Sequence, residues 1–200
     1  MKKVFKAALV AAMVIVSASA NAQSINVGYV STKATDSGAD AVSGITAGIG
    51  YDMEVQGLIG LSWGLNYTYS WESADHVKFT DNHLDVPVRL TFGVPVTDNV
   101  KVFGFAGPKF VYAIAGSTKY DTDGIEDMKR YGENSPVSRF DIKAGAGAGI
   151  QFNNIVLKAG YDWGLLNQNK WHGSNDLDKI FFKDIVSKTN QFYVTLGFAF

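Results

Sequence analysis

Residues 191–200 read QFYVTLGFAF. Phe192, Val194, Leu196, Phe198 and Phe200 form one apolar stripe. Gln191, Tyr193, Thr195, Gly197 and Ala199 lie between them. Strict period-two alternation predicts a β-strand with one apolar face. A frayed terminus would not keep such a pattern. The decision it forces is whether that face meets a protein core or lipid.

The same stripe recurs along the chain. Ile25, Val27 and Tyr29 open a first strand. A second carries Ile45 to Val55 and a third Ile59 to Tyr69. Leu84 to Val94 give a fourth, Phe140 to Phe152 a sixth and Ile155 to Leu165 a seventh. Residues 191–200 are the eighth. The fifth, VKVFGFAGPKFVYAIAG at 100–116, is strand-like with an ambiguous phase. Phe103 and Phe105 ask for one face, and Phe110, Tyr112 and Ile114 for the other. A β-bulge near Gly107 and Pro108 is expected to reconcile them. Pro87 and Pro108 interrupt otherwise good strands, where proline removes a ladder hydrogen bond. A bulge or a water-bonded carbonyl is expected at each.

The connections alternate in length. Turns at Gln56–Gly57, at PVTDN (95–99) and at Asn153–Asn154 are short, whereas 31–43, 70–82, 116–138 and 166–190 are long. Eight long strands with alternating short and long connections predict an all-β fold, an eight-stranded antiparallel up-and-down transmembrane β-barrel. Backbone groups cannot face hydrocarbon unpaired, so such a sheet must close on itself. An even strand count puts both termini on one side, the periplasmic one.

Composition agrees. Twenty-one glycines, thirteen phenylalanines and nine tyrosines accompany no cysteine. The N-terminus, MKKVFKAALVAAMVIVSASANA, has a basic start, a short apolar core and Ala20 and Ala22 before Gln23. It reads as a signal peptide over 1–22, leaving a barrel domain at 23–200. Losing Lys2, Lys3 and Lys6 takes 18 bases to 15 against 19 acids, a net charge of −4. That balance excludes nucleic acid as an expected partner. The expected location is the cell outer membrane, with lipid around a monomeric barrel.

The face assignment follows. The apolar stripe meets lipid, and the glycine-rich, charged stripe lines a lumen that side chains fill. Asp52, Glu54, Asp85, Arg89, Asp141, Lys143, Lys158 and Asp162 are expected inside as a self-compensating charge network. Inward glycines leave space for the long side chains. Tyr51, Trp63, Tyr67, Tyr69, Phe152, Tyr161 and Trp163 lie toward strand ends, where interfacial aromatics belong. The inverted assignment, with charges outward, describes a soluble periplasmic barrel holding an apolar ligand.

HLDVPVRLTFGV at 83–94 and VFGFAGPKFVY at 102–112 resemble the PorT-like outer-membrane β-barrel domain family of Bacteroidota. Leu84, Val86–Pro87, Gly107–Pro108 and the terminal Phe200 carry the resemblance. It spans 23–200 and implies an outer-membrane barrel with no shared catalytic residues. It also implies that Phe192, Val194, Leu196, Phe198 and Phe200 are an assembly signal for the barrel-assembly machinery. Capture of an extended strand by β-augmentation gives that signal its physical basis.

Chemistry is sparse. His76, His83 and His172 show no catalytic spacing, although His83 with Asp75 or Asp81 could meet in space. No enzymatic activity, cofactor or metal is expected. Asp121, Asp123, Glu126 and Asp127 lack the remaining ligands of a calcium loop and read as a solvated external loop. GAGAGI at 145–150 is strand, with no helix after it. In the loop 166–190, Trp171, Phe181 and Phe182 are candidates for touching an envelope partner. A structural, adhesive or partner-assembly role is the expected function, with a narrow passive pore as the alternative.

Overall fold

The computed structural model describes residues 24–35, 40–74, 77–120, 128–131, 137–168 and 188–200. The strands are β1 (Ser24–Ala34), β2 (Val42–Gln56), β3 (Ile59–Ala74), β4 (Val77–Thr97) and β5 (Val100–Tyr120). After them come β6 (Met128–Lys129), β7 (Phe140–Phe152), β8 (Ile155–Gly164) and β9 (Thr189–Ala199). Eight of these pair antiparallel with their neighbours in one ring, and β1 meets β9 to close it. The two-residue β6 clips onto the far end of β5 through Ser117 and Thr118. The fold is an all-β, eight-stranded, closed antiparallel barrel.

Tight turns at 57–58, 98–99 and 153–154 define one end, called here the turn end. Gly57 and Asn153 take the positive φ that two of these turns require. Ser24 and Ala199 pair with each other at that same end. The opposite, loop end is less regular than the sequence suggests. β3, β4 and β5 run through most of 70–82 and the start of 116–138 as a tall wall of paired strand. At 16, 21 and 21 residues they exceed the ~9–11 that span a bilayer. The expected long connection at 70–82 shrinks to the two residues between β3 and β4. On that stretch Thr80 and Ser117 bond across β4 and β5 at 3.0 Å, so polar side chains hold strand where apolar alternation has stopped.

The interior is polar. The largest fully buried side chains are Thr68, Asp141 and Asp162, none of them a hydrocarbon. The exterior carries the apolar stripe, with Val27, Leu90 and Leu196 more than half exposed. Aromatic pairs stand toward the two ends of the wall. Tyr51 stacks on Trp63 at 4.3 Å on the turn-end side, and Tyr69–Trp71 and Tyr161–Trp163 pair on the loop-end side. This is an inside-out protein relative to a soluble domain, and it suits lipid outside.

β5 corrects two expectations. From Phe103 to Ile114 its alternation runs unbroken, with Phe103, Phe105, Lys109, Val111 and Ala113 inward and Phe110, Tyr112 and Ile114 outward. No bulge occurs at Gly107 or Pro108. The ladder to β4 skips Val88 and Arg89 and resumes in the same register at Leu90 opposite Ala106. Likewise the β3–β4 ladder skips the Pro87 position and keeps its register. The register shifts lie elsewhere, at Glu54/Gln56, Asn82/His83 and Pro95/Thr97. Glycine explains the phase. Phe103 and Phe105 sit opposite Gly149 and Gly147 on β7, where an added Cβ would collide with each ring. Aromatic side chains can therefore point inward without narrowing the lumen.

Candidate functional site

The lumen is built in rows that run across the strands. One row carries Gly107, Gly145, Asp162, Gln191 and Thr32 on five successive strands. Arg89 on β4 stands in register beside Gly107. The two glycines leave the wall bare between Arg89 and Asp162, three strands further round. Arg89 Nη2 crosses that bare wall to Asp162 Oδ1 at 2.5 Å. A Cβ on Gly145 would overlap that carboxylate oxygen. Arg89 Nη1 donates to the Gly107 carbonyl oxygen, the group beside the skipped ladder position at Pro108. A guanidinium thus stands where a bulge or water was expected.

Lys109 Nζ reaches the other oxygen of Asp162 at 2.5 Å and donates to Gln191, whose amide bonds Thr32 at 3.1 Å. Lys143 lies directly opposite Lys109 on the neighbouring strand. Like charges so placed repel, and Asp141 stands 3.5 Å from Lys143 to offset them. Asp85 accepts a hydrogen bond from Thr68 at 2.7 Å. Asp85, Asp141 and Asp162 against Arg89, Lys109 and Lys143 make a neutral sextet, each member 5% exposed or less. The next row is aromatic. Phe105, Gly147, Gly160 and Tyr193 follow one another around the wall, and the two rings lie over the glycines, 6.5 Å apart.

Of the eight charges expected inside, Asp85, Arg89, Asp141, Lys143 and Asp162 come together. Asp52, Glu54 and Lys158 do not join them. They lie near the turn end, where the barrel opens to water and charge needs no buried partner. Glu54 is exposed and 3.6 Å from Lys101, and Lys158 lies over the Phe103 ring. Lys109 and Gln191 are members that sequence reasoning missed. Unbroken alternation from Phe103 would have turned Lys109 inward, and the glycines of 145–150 were the signal that inward aromatics fit.

A second cluster closes part of the loop end. Tyr131 is buried and its hydroxyl donates to Asp81 at 2.7 Å. Burial, with the Asp81 carboxylate beside it, raises the Tyr131 hydroxyl above its ordinary range, so it remains a donor. His83 Nε2 is 3.5 Å from Asp81, and Arg130 is 3.7 Å from it. His83 and Asp81 therefore do meet, as a histidine and carboxylate inside the lumen. Among the described residues no group of three His, Cys, Asp or Glu side chains is arranged to hold a metal ion.

On β9, Phe192, Leu196 and Phe198 are outward, Val194 is half-buried, and Phe200 lies just past the strand, 69% exposed. Residues 1–22, His76, His172, Asp75, the acidic stretch 121–127 and Trp171, Phe181 and Phe182 lie outside the described residues.

Removing one member of a buried ion set leaves its partners uncompensated, at a cost of about 3–5 kcal/mol. Asp162→Ala is therefore expected to destabilise the folded barrel by about that amount in reversible denaturant unfolding. Arg89→Met and Asp162→Leu combined, which leave two acids against two bases, are expected to recover much of the loss. Equal stability of Asp162→Ala and the native chain would show that the sextet does not hold the barrel.

Residues 26–168 match the family described as outer membrane protein beta-barrel domain. No curated protein sequence matches the chain. Among solved structures, the outer membrane enzyme PagL is 14% identical, with a TM-score of 0.55, covering 88% of this chain and 99% of that one. Neisserial surface protein A is 13% identical, with a TM-score of 0.50 over 88% and 96%. Ail of Yersinia pestis is 17% identical, with a TM-score of 0.47 over 88% and 97%. At these identities the likeness is one of fold. The closed ring, its apolar exterior and the family match over 26–168 lead to one conclusion: the chain is a transmembrane outer-membrane protein and belongs to the outer membrane protein beta-barrel domain family.

Proposed function

We propose that this barrel has a structural, adhesive or partner-assembly role at the outer membrane, with no enzymatic activity and no through-flow. The observation that carries the reading is the Arg89–Asp162–Lys109 bridge, which spans the lumen at 2.5 Å contacts. Water and ions would have to break a buried, neutral network to pass. The narrow pore is thereby the weaker alternative. The soluble barrel with an apolar ligand inside needs charges outward, opposite to the arrangement described above.

The His83–Asp81 pair fits this reading as structure. Asp81 is already committed to Tyr131 and to the Asn82 amide, so the pair acts as part of a latch. The protruding β3–β5 wall offers a surface beyond the membrane for contact with an envelope partner. In this orientation the loop end is external and both termini are periplasmic, and the barrel works as a monomer. The finer kinship with PorT-like proteins of Bacteroidota, some of which assist secretion, belongs to this proposal and rests on the Pro87 and Gly107–Pro108 positions.

Planar-bilayer recording tests the role. The native protein is expected to give no stable conductance, and Asp162→Ala to give intermittent channels. Reproducible channels in the native protein would overturn the sealed reading in favour of the pore. A second proposal concerns assembly. Phe200 is 69% exposed and meets Phe198 edge-on at 5.6 Å, so it adds little to the finished fold. Deleting Phe200 is expected to slow insertion by the assembly machinery while leaving the unfolding midpoint nearly unchanged. Normal insertion kinetics would assign Phe200 to packing alone.

A further inference from the structure

The sealed-barrel reading makes no use of a cavity of about 330 Å³ at the loop end. Asp85 and Gln191 line both it and the smaller void beneath, so they form its floor. Its size is that of a small-ligand site. The charge of its wall is uneven: Asp40, Glu72, Asp81, Asp85 and Asp141 outnumber Arg130, Arg139 and Lys143.

Arg139 donates to the carbonyl oxygens of Ala113, Ile114 and Tyr131 at 2.9–3.3 Å, capping the free edge of β5. Lys143 Nζ donates to both oxygens of Thr189 at 2.5 and 2.6 Å. Arg130 lies over the Phe79 ring at 4.5 Å, beside Asp81. One buried polar group on the wall is left over. Ser70 Oγ lines the cavity, is 2% exposed, and has no hydrogen-bond partner. Asp141, 1% exposed, stands 3.5 Å from Lys143, whose ammonium gives two of its three hydrogens to Thr189. Glu72 and Asp40 add negative charge toward the mouth. A buried hydroxyl without a partner is costly, and a bound polar ligand would relieve it.

The spacing narrows the class. Asp85 and Asp81 share the inward face of β4, four residues or about 13 Å apart along the strand. Glu72 lies opposite Phe79, further toward the mouth. Apolar Val111, Ala113 and Phe79 fill the intervals. Carboxylates in a ladder with apolar rungs suit a linear molecule whose positive groups are separated by methylenes. Anions are disfavoured because acids outnumber bases on this wall.

We propose that the loop-end cavity binds a linear organic polyamine, its ammonium groups held by Asp85 and Asp141 at the floor and by Ser70 and Glu72 on the wall. The ligand supplies a partner to Ser70 and positive charge to an acid-rich wall, and enters from the external side. The site stands above the Arg89–Asp162 bridge and does not depend on whether the barrel is sealed below.

The test is calorimetric titration of the mature barrel, folded in detergent micelles, with spermidine. Native protein is expected to show one saturable site. Losing a hydrogen bond to a charged group weakens binding by about tenfold or more, and this is expected for Asp141→Asn and for Glu72→Gln. Ser70→Ala is expected to weaken it less. A heat-dependent gel-mobility shift confirms folding of each variant. Should Asp141→Asn fail to fold, Glu72→Gln and Ser70→Ala carry the comparison. No saturable spermidine binding, unchanged affinity in both of those variants, or tighter binding of sucrose or sulfate would overturn the proposal.

Discussion

In hydrocarbon no water completes the hydrogen bonds of a backbone, so every N–H and C=O must find its partner within the sheet. Pairing of β1 with β9 along all of Ser24–Ala34 meets that constraint by closing the ring. The rest of the architecture follows from it. A closed sheet of eight strands has two faces and no other choice of solvent. Its outer face must be apolar, and its inner face encloses a space too narrow for bulk water. Polar side chains assigned to that space must satisfy one another.

The interior meets this demand through the placement of missing side chains. Gly107 and Gly145 are bare, so Arg89 spans to Asp162. Gly147 and Gly149 are bare, so Phe105 and Phe103 point inward beneath the charged layer. Arg89 also serves the wall itself, since its second nitrogen donates to the Gly107 carbonyl where the ladder to β4 is skipped. One residue thus joins the charge network to the integrity of the ladder. At the loop end Arg139 does comparable work for the free edge of β5, which would otherwise offer itself to another strand.

Much of this was legible in the sequence, and the exceptions have physical causes. Alternation in 140–152, 155–165 and 191–200 placed β7, β8 and β9 because lipid on one side and lumen on the other enforce period two. Five of the six sextet members followed from the same rule. Lys109 was missed because the phase of β5 was left open, with Phe103 and Phe105 asking for the face opposite to Phe110, Tyr112 and Ile114. Inward aromatics are allowed only where neighbouring strands carry glycine, and that is a property of register, not of one strand. The reach of β3, β4 and β5 beyond the membrane was missed for a different reason. There both faces meet water, so Thr80, Ser117, Lys78 and Lys119 lose the apolar stripe while keeping the ladder. Tyr131 and its bond to Asp81 arise from a return of the chain after β5 that no local pattern announces.

The chain contains no cysteine, so single cysteines carrying a spin label can report the face of each position in β9. Labels at successive positions 192–198, in protein folded into lipid vesicles, would be measured for collision with oxygen and with a water-soluble nickel complex. Oxygen collisions should peak at 192, 194, 196 and 198, with nickel excluded there, and fall at 193, 195 and 197. A flat profile would contradict a membrane-spanning strand. The opposite phase would mean that the charged face, not the apolar one, meets lipid.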